Sequence, residues 1–263
     1  MNGSGSKMNR DVYESICKTK KGVEESFKEG VFYDGQTRNE RHLEMILESL
    51  KLKAGMRVLD LGTGTGFLAF PMAERWPGTE VVGLDIVEKA LDRNRKRVED
   101  EEIGNLKFVC YDGVDFPFGD GEFDLVVSRY ALHHFPEIEG TFLEISRVLK
   151  AGGRFFLSDQ APNEDDERRF VDEYMQMKKD GHIKFYTKDE WLGLGKKVGL
   201  IYEDGFETSI RFPKKREMAL EFDDIVSRHD DKVMKGYDLE IVGDEIWITE
   251  KVNNLTFRKS EIY

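Results

Sequence analysis

Arg57-Val58-Leu59-Asp60-Leu61-Gly62-Thr63-Gly64-Thr65-Gly66-Phe67-Leu68-Ala69-Phe70 is the stretch that decides the fold. A short apolar run ends in a carboxylate and a loop of small residues, and a helix-like segment follows. Small residues let the backbone turn sharply and pass close to a ligand, with the amides at the helix start pointing toward it. An ordinary glycine-rich turn between strand and helix is the plain alternative. Gly64 to Ala69 also satisfies the GxGxxA form of a dinucleotide fingerprint, so the surroundings must decide.

Outward from this loop the pattern repeats. Apolar runs recur at Val81-Val82-Gly83-Leu84, Phe108-Val109-Cys110, Phe123-Asp124-Leu125-Val126-Val127 and Phe155-Phe156-Leu157, separated by helix-like segments. Near-continuous apolar strands belong to a parallel sheet covered on both faces by helices, with right-handed crossovers. Arg41 to Leu50, Val87 to Val98 and Thr141 to Leu149 carry apolar residues at helical spacing and read as covering helices. The last of these stops at Lys150-Ala151-Gly152-Gly153, a cation and then glycines. After Asp159 the composition becomes charged and mixed, which reads as a helical lid or insertion. Alternation returns in Glu245 to Glu250 and Leu255 to Arg258, around the turn residues Asn253-Asn254. A late hairpin or antiparallel edge strand is expected there.

Composition bounds the function classes. The 263 residues carry a formal net charge of −12, which argues against a general nucleic-acid or anionic-membrane surface. At 39% hydrophobic the chain can bury a real core, yet no stretch approaches the roughly 18 uncharged apolar residues of a membrane span. Cys17 and Cys110 have no metal-ligand spacing and fit a reducing, cytoplasmic setting without a disulfide framework. The Gly-Ser-rich first residues lack the apolar core of a signal peptide and read as a flexible leader.

Asp85 ends the second apolar run, 25 positions after Asp60. A carboxylate there can accept two hydrogen bonds from a ribose diol, and capping of the helix that follows is the structural alternative.

With these residues in place the sequence resembles a class I S-adenosylmethionine-dependent methyltransferase, in the small-molecule group of the ubiquinone and menaquinone biosynthesis methyltransferases. The resemblance covers about residues 35–160. It implies a doubly wound, Rossmann-like α/β fold: a mostly parallel seven-stranded sheet with an antiparallel C-terminal strand and a helical lid insertion. It further implies S-adenosylmethionine as cofactor and S-adenosylhomocysteine as product. In such enzymes the DxGxGxG loop, here Asp60, Gly62, Thr63, Gly64 and Gly66, cradles the methionine part. The acid after the second strand, here Asp85 with Ile86 beside it, binds the ribose. Asp112 followed by Gly113 is similar to the pair that contacts the adenine. Ser128-Arg129-Tyr130 and Leu132-His133-His134 resemble the motif after the fourth strand, with Ser128 placed at the cofactor. Arg147-Val148-Leu149-Lys150-Ala151-Gly152-Gly153 resembles the RvLkpGG motif, with Ala151 where proline is usual. A dinucleotide-binding enzyme has no need of these later motifs at these intervals.

Methyl transfer needs donor and acceptor held in attack geometry, needs no metal, and needs a base only for an acceptor that arrives protonated. His133, Tyr130 and Arg129 follow the fourth strand at the carboxyl edge, where open α/β sheets place ligands, and are the catalytic candidates. His133 is expected to face the pocket, and a backbone-bonding or loop-capping histidine is the competing reading. Arg129 and Tyr130 suit an acceptor carboxylate or an aromatic acceptor. Tyr33, Asp34 and Arg38 stand where related enzymes fold over the cofactor, while His42, His182 and His229 receive no role. No Asn-Pro-Pro-Tyr or Asp-Pro-Pro-Tyr, no set of exposed cysteines and no acidic metal cluster is apparent, which disfavours nucleobase, arsenic and metal-dependent catechol methylation.

The expected organisation is a leader and helical segment (1–30), a cofactor-binding core (31–160), a lid (161–235) and C-terminal strands completing the sheet (236–263). The expected function is methyl transfer to a small-molecule acceptor by a cytoplasmic protein without nucleic-acid partner or membrane span, with homodimer formation through the late edge strand left open. Two other readings stand beside it: an NAD(P)-dependent oxidoreductase, and a non-catalytic module that binds S-adenosylmethionine as a sensor or scaffold.

Overall fold

The computed structural model describes residues 10–28, 39–177, 180–215 and 221–261. Tyr33, Asp34 and Arg38, and the leader, lie outside them. Two N-terminal helices, α1 (Arg10–Lys28) and α2 (Glu40–Leu50), precede the alternating core. That core runs β1 (Arg57–Leu61), α3 (Ala69–Arg75), β2 (Glu80–Asp85), α4 (Glu88–Asp100), β3 (Leu106–Cys110), β4 (Phe123–Arg129), a 3-10 turn (Leu132–His134), α5 (Ile138–Val148) and β5 (Leu149–Ala161). The remainder comprises α6 (Phe170–Gln176), α7 (Lys188–Lys197), β6 (Leu200–Lys215), α8 (Phe222–Arg228), α9 (Asp231–Gly236), β7 (Glu240–Val242) and β8 (Glu245–Lys259).

One sheet organises these elements in the order β3-β2-β1-β4-β5-β8-β6, a path of seven strands, with the short β7 pairing to β8 as an eighth. β1 to β5 are parallel, and β8 runs antiparallel to both β5 and β6. This is the doubly wound arrangement with an antiparallel C-terminal strand. The strand order reverses between β1 and β4, and it is at such a switch point that a crevice opens for a ligand.

Alternation of side chains across the strands explains the apolar runs. Leu59, Leu61, Val82, Leu84 and Val126 face one way, onto Phe142, Ile145 and Val148 of α5 and Trp191 and Leu194 of α7. Val58, Val81, Leu125 and Val127 face the other, onto Ile46, Leu47 and Leu50 of α2 and Phe70 and Met72 of α3. Each such fully buried side chain contributes about 1.5–3 kcal/mol, so both faces hold the central strands in register.

The expectation of a lid over 161–235 needs correcting. α7 packs Trp191 against Phe142 with ring centroids 5.8 Å apart. β6 is a full strand of the main sheet. Both therefore complete the core. Trp191 and Leu194, spaced for one apolar helix face, carried that signal, whereas β6 (Leu-Ile-Tyr-Glu-Asp-Gly-Phe-Glu) is too charged to read as a buried strand because it is an edge. What remains as a separate layer is α6, α8 and α9. They bury Phe170, Tyr174, Phe222, Ile225 and Tyr237 against Ile246 and Ile248 of β8. β5 ends at Ala161, opposite Lys251, so residues 245–250 of β8 extend past it and are paired only with β6 and β7. The cap sits on this extension. Among the described residues, no helix is long and apolar enough to cross a membrane.

Trp191 joins α7 to the core, and replacing it with alanine leaves a large void. Trp191→Ala is expected to destabilise the chain by about 3–5 kcal/mol, measured by urea unfolding. A loss below about 1 kcal/mol would mean that α7 is not an integral part of the core.

Candidate cofactor and acceptor site

The loop after β1 crosses the carboxyl edge of the sheet in a left-handed backbone path: Gly62, Gly64 and Gly66 have φ of 69°, 51° and 80°. Gly62 and Thr63 both donate their amides to the Leu84 carbonyl of β2, at 2.8 and 3.1 Å. A Cβ on Gly62 would lie 2.4 Å from that of Ala131, and one on Gly66 would lie 2.6 Å from the Phe70 ring. At Gly64 a Cβ would meet nothing within 4 Å. Gly62 and Gly66 thus permit packing, whereas Gly64 borders open space.

Asp60 is buried beneath this loop and accepts a 2.7 Å hydrogen bond from Thr63 Oγ1. Burial pushes its carboxyl up to about 7, against the pull of the Thr63 hydroxyl. Asp85, at the end of β2, accepts from the Gly64 amide through Oδ2 and from the Val87 amide through Oδ1, each at 2.9 Å. Burial raises its pKa, and the backbone amides of Gly64, Val87 and Ile86 oppose the rise. Asp85 is therefore tied to the glycine loop itself. Val87, not Asp85, occupies the cap position of α4.

These groups border a cleft of about 1150 Å³, counting the space at its open mouth. Gly62, Thr63, Gly64, Asp85, Ile86, Arg129, Tyr130 and His133 line it, as the sequence suggested. Thr65, Phe67, Val87, Tyr111, His134, Gln160, Met175, Asp180 and Phe212 line it as well.

Five other candidates are placed elsewhere. Asp60 and Gly66 support the loop from below and behind. Ser128 is buried and donates to the Leu61 carbonyl at 2.9 Å, locking β4 to β1. Asp112 is exposed and accepts the amides of Val114 and Asp115 at 2.9 and 3.0 Å, so it closes its own turn. Gly113, at φ 94°, lets that turn meet Ile16 of α1. Tyr111, one residue earlier, is the side chain on the cleft wall.

After β4 the 3-10 turn presents both histidines to the cleft. His133 donates Nδ1–H to Asp159 Oδ1 at 2.6 Å, and its backbone amide donates to Asp159 Oδ2 at 3.2 Å. Both side chains are almost wholly buried. Burial pushes the Asp159 carboxyl up to about 7, against the pull of the backbone amides of Gln160 and His133. Burial, with His133 alongside, drives the His134 imidazole down to about 3, so it is neutral. His182 approaches both rings from the segment between α6 and α7, with its Nε2 bound to Asp172 at 2.9 Å.

Arg129 does not project as a bare charge: its guanidinium stacks on the rings of Phe67 and Tyr130, at 4.0 and 3.9 Å. Tyr130 takes a left-handed φ of 52° and donates its amide to the Ser158 carbonyl of β5. His42 is part of the support behind it. Its Nδ1 lies 3.4 Å from the Tyr130 hydroxyl, and its Nε2 is 2.9 Å from Asn254 of β8. Gln160, Asp159 and His182 were not singled out from sequence. Only the position of Asp159-Gln160 at the end of the Phe155-Phe156-Leu157 strand, the same edge as the other loops, signals them.

The cleft fits an adenosyl cofactor by the chemistry of its donor set. Each Asp85 oxygen takes one backbone amide and has a lone pair remaining for a diol. Gly64 leaves space over the loop, and Ile86, Val87 and Tyr111 supply apolar and aromatic surface for a base.

Comparison with known proteins bears on this geometry. Residues 52–199 match the family model described as Methyltransferase domain. The uncharacterized methyltransferase YcgJ of Bacillus subtilis is 28% identical over 177 residues, covering 67% of each chain. A sterol 24-C-methyltransferase of Gibberella zeae is 35% identical over 173 residues, covering 62% of this chain and 45% of that protein. A demethylmenaquinone methyltransferase of Thermus thermophilus is 38% identical over 122 residues, covering 46% and 53%. The matches thus span about half the length of the sterol and quinone proteins. The crystal structure of YcgJ superposes with a TM-score of 0.74 at 23% identity, over 85% of this chain and all of that one.

Asp60 yields a prediction on stability. Its folded pKa of about 7 lies above the usual carboxylate value near 4. The stability it contributes is then complete below about pH 4 and is lost as pH rises through 7. Asp60→Asn lacks this loss. Relative to wild type, the variant is expected to gain about 1 kcal/mol or more between pH 4 and pH 7.5 in urea unfolding. Parallel pH dependences in the two proteins would show that the Asp60 carboxyl is not raised.

Proposed function

The chain belongs to the methyltransferase domain family, and on that premise we propose that it transfers the methyl group of S-adenosylmethionine to a small-molecule acceptor, releasing S-adenosylhomocysteine. The observation that carries this reading is the junction of the glycine loop to Asp85 at the strand-order reversal, with a histidine–carboxylate pair across the same cleft. The sterol and demethylmenaquinone methyltransferases named above, whose names give small-molecule acceptors, support it.

When bound, S-adenosylmethionine supplies a methyl group on a positively charged sulfur. The protein's task is placement. In this reading the backbone of Gly62 to Thr65 holds the methionine part, Asp85 takes the ribose hydroxyls, and Ile86, Val87 and Tyr111 enclose the base. Asp112 and Gly113 shape the Tyr111 turn instead of touching the adenine. Holding the two reactants together can contribute about 7–11 kcal/mol toward the barrier. Tyr130, Phe135, Met175 and Phe212 surround the acceptor.

His133 is the proposed base. Its Nδ1–H is committed to Asp159, which fixes the tautomer and makes the second ring nitrogen the proton acceptor. The arrangement is that of an orienting carboxylate behind a general base.

Calorimetric titration with S-adenosylmethionine, S-adenosylhomocysteine and NAD tests the cofactor assignment. Micromolar binding of the first two and none of NAD is expected, and preference for NAD would overturn the reading. Asp85→Ala should weaken S-adenosylmethionine about 10–100-fold, the effect of losing hydrogen bonds to a charged group; unchanged affinity would remove the ribose assignment.

His133→Ala should lower kcat about 10²–10⁴-fold with cofactor affinity retained. Unchanged turnover would make that histidine structural.

A further inference from the structure

Arg129 is the only lysine or arginine among the described residues that line the cleft, and it is half-buried there. It ends β4, and the seam with β1 sets its place. Asp60 pairs with Val127 in the ladder and Ser128 donates to the Leu61 carbonyl at 2.9 Å, which brings Arg129 level with Gly62 at the start of the glycine loop. The side chain reaches the other end of the same loop: its guanidinium carbon lies 4.0 Å from the ring centroid of Phe67, the residue after Gly66. Tyr130 supplies a second ring at 3.9 Å. The cation therefore stands at the glycine loop, beside the backbone that the reading above gives to the methionine part of the cofactor.

This placement is held from behind. Asn254, fully buried, directs its amide nitrogen at the Phe206 and Val252 carbonyls, 3.3 Å from each, so its oxygen is the atom 2.9 Å from His42 Nε2. Nε2 carries the proton, and Nδ1 accepts from the Tyr130 hydroxyl at 3.4 Å. Tyr130 is tied down by that hydroxyl, and its ring packs against Ile210, Phe212 and Val252. Stacking on the rings fixes the plane of the guanidinium. Its N–H groups lie along the edge of that plane, a fork that matches the two oxygens of a carboxylate. A lysine ammonium has neither the flat face for the rings nor the fork.

Charge has the same sense. Asp85 and Asp180 already line the cleft, and the methionine part of the cofactor brings a further carboxylate into the same space. Taking that group out of water without a partner is costly. Asp85 ends β2, and β1 separates it from β4, so the acid given to the ribose and the guanidinium stand two strand spacings apart, roughly 10 Å. S-adenosylmethionine carries its diol and its carboxylate on either side of the sulfur, so one molecule meets both.

We propose that Arg129 binds the carboxylate of the cofactor's methionine part through the edge of its guanidinium, with Phe67 and Tyr130 as the rings that orient it. This rests on the S-adenosylmethionine reading above and deepens it. The cleft then selects adenosyl ligands that end in a carboxylate, and Arg129 serves the methyl donor and not the acceptor.

Calorimetry with three adenosyl ligands, and no acceptor present, tests the assignment: S-adenosylhomocysteine, its decarboxylated form, which lacks only the carboxylate, and methylthioadenosine, which lacks carboxylate and amine. The wild-type protein is expected to bind the first about 10–100-fold more tightly than the second. Arg129→Met should weaken S-adenosylhomocysteine about 10–100-fold without weakening the other two, and Arg129→Lys should restore part of that loss. Equal wild-type affinity for the first two ligands, a loss in Arg129→Met shared by all three, or unchanged S-adenosylhomocysteine affinity in that variant would each overturn the proposal, the last leaving the guanidinium to an acceptor carboxylate. The wild-type comparison and Arg129→Lys decide the matter if Arg129→Met does not fold. Wild-type protein that binds none of the three would instead overturn the cofactor reading on which the proposal stands.

Discussion

At Gly62 a Cβ would fall 2.4 Å from that of Ala131, a distance no pair of side chains tolerates. The loops after β1 and β4 can therefore meet only because one of them has no side chain there. Their meeting sets the rest of the site. It brings the glycine loop beside the turn that bears His133, and it allows Gly62 and Thr63 to share the Leu84 carbonyl, which draws in β2 and hence Asp85. Ser128 reinforces the same seam through the Leu61 carbonyl. A larger residue at 62 would push apart the two halves of the sheet at the point where the ligand must sit.

The rest of the cleft lining is built from parts more distant in sequence. His133 from the β4 turn, Gln160 from the end of β5, Asp180 from the segment after α6 and Phe212 from β6 all line it. They are held by polar contacts that cross between elements, with His133 bound to Asp159 and its carbonyl accepting the Ile183 and Lys184 amides. Beneath the cap, Lys214 and Glu250 stand 3.7 Å apart, both nearly excluded from solvent. Removing either would strand a buried charge, a change that costs about 3–5 kcal/mol.

The core was legible in the sequence because parallel strands buried on both faces must be apolar throughout, and Val58 to Leu61, Val81 to Leu84 and Phe123 to Val127 announce themselves. The glycine loop and Asp85 were legible for a related reason: left-handed backbone and a close approach admit few residue types. At Asp112 the motif is less decisive, because the carboxylate has a local use, closing its own turn, that the motif does not distinguish from ligand contact. Gln160 and Asp159 stayed hidden because a polar residue at a strand end has no periodicity to betray it, and their partners lie in other elements. β6 was read into the lid because an edge strand is allowed the charges that a central strand is not.

β8 is one continuous strand with two loyalties. Residues 251–258 are clamped between β5 and β6, while residues 245–250 run on past β5 beneath the helical cap. A ribbon of few strands twists more readily than a wide sheet. Mechanically the cap is mounted on an overhang that begins where β5 stops, at Ala161 opposite Lys251. Met175 of the cap and Phe212 on the ribbon both line the cleft, so a bend in that overhang would change the bore of the cleft while leaving in place the end where the glycine loop and Asp85 reside.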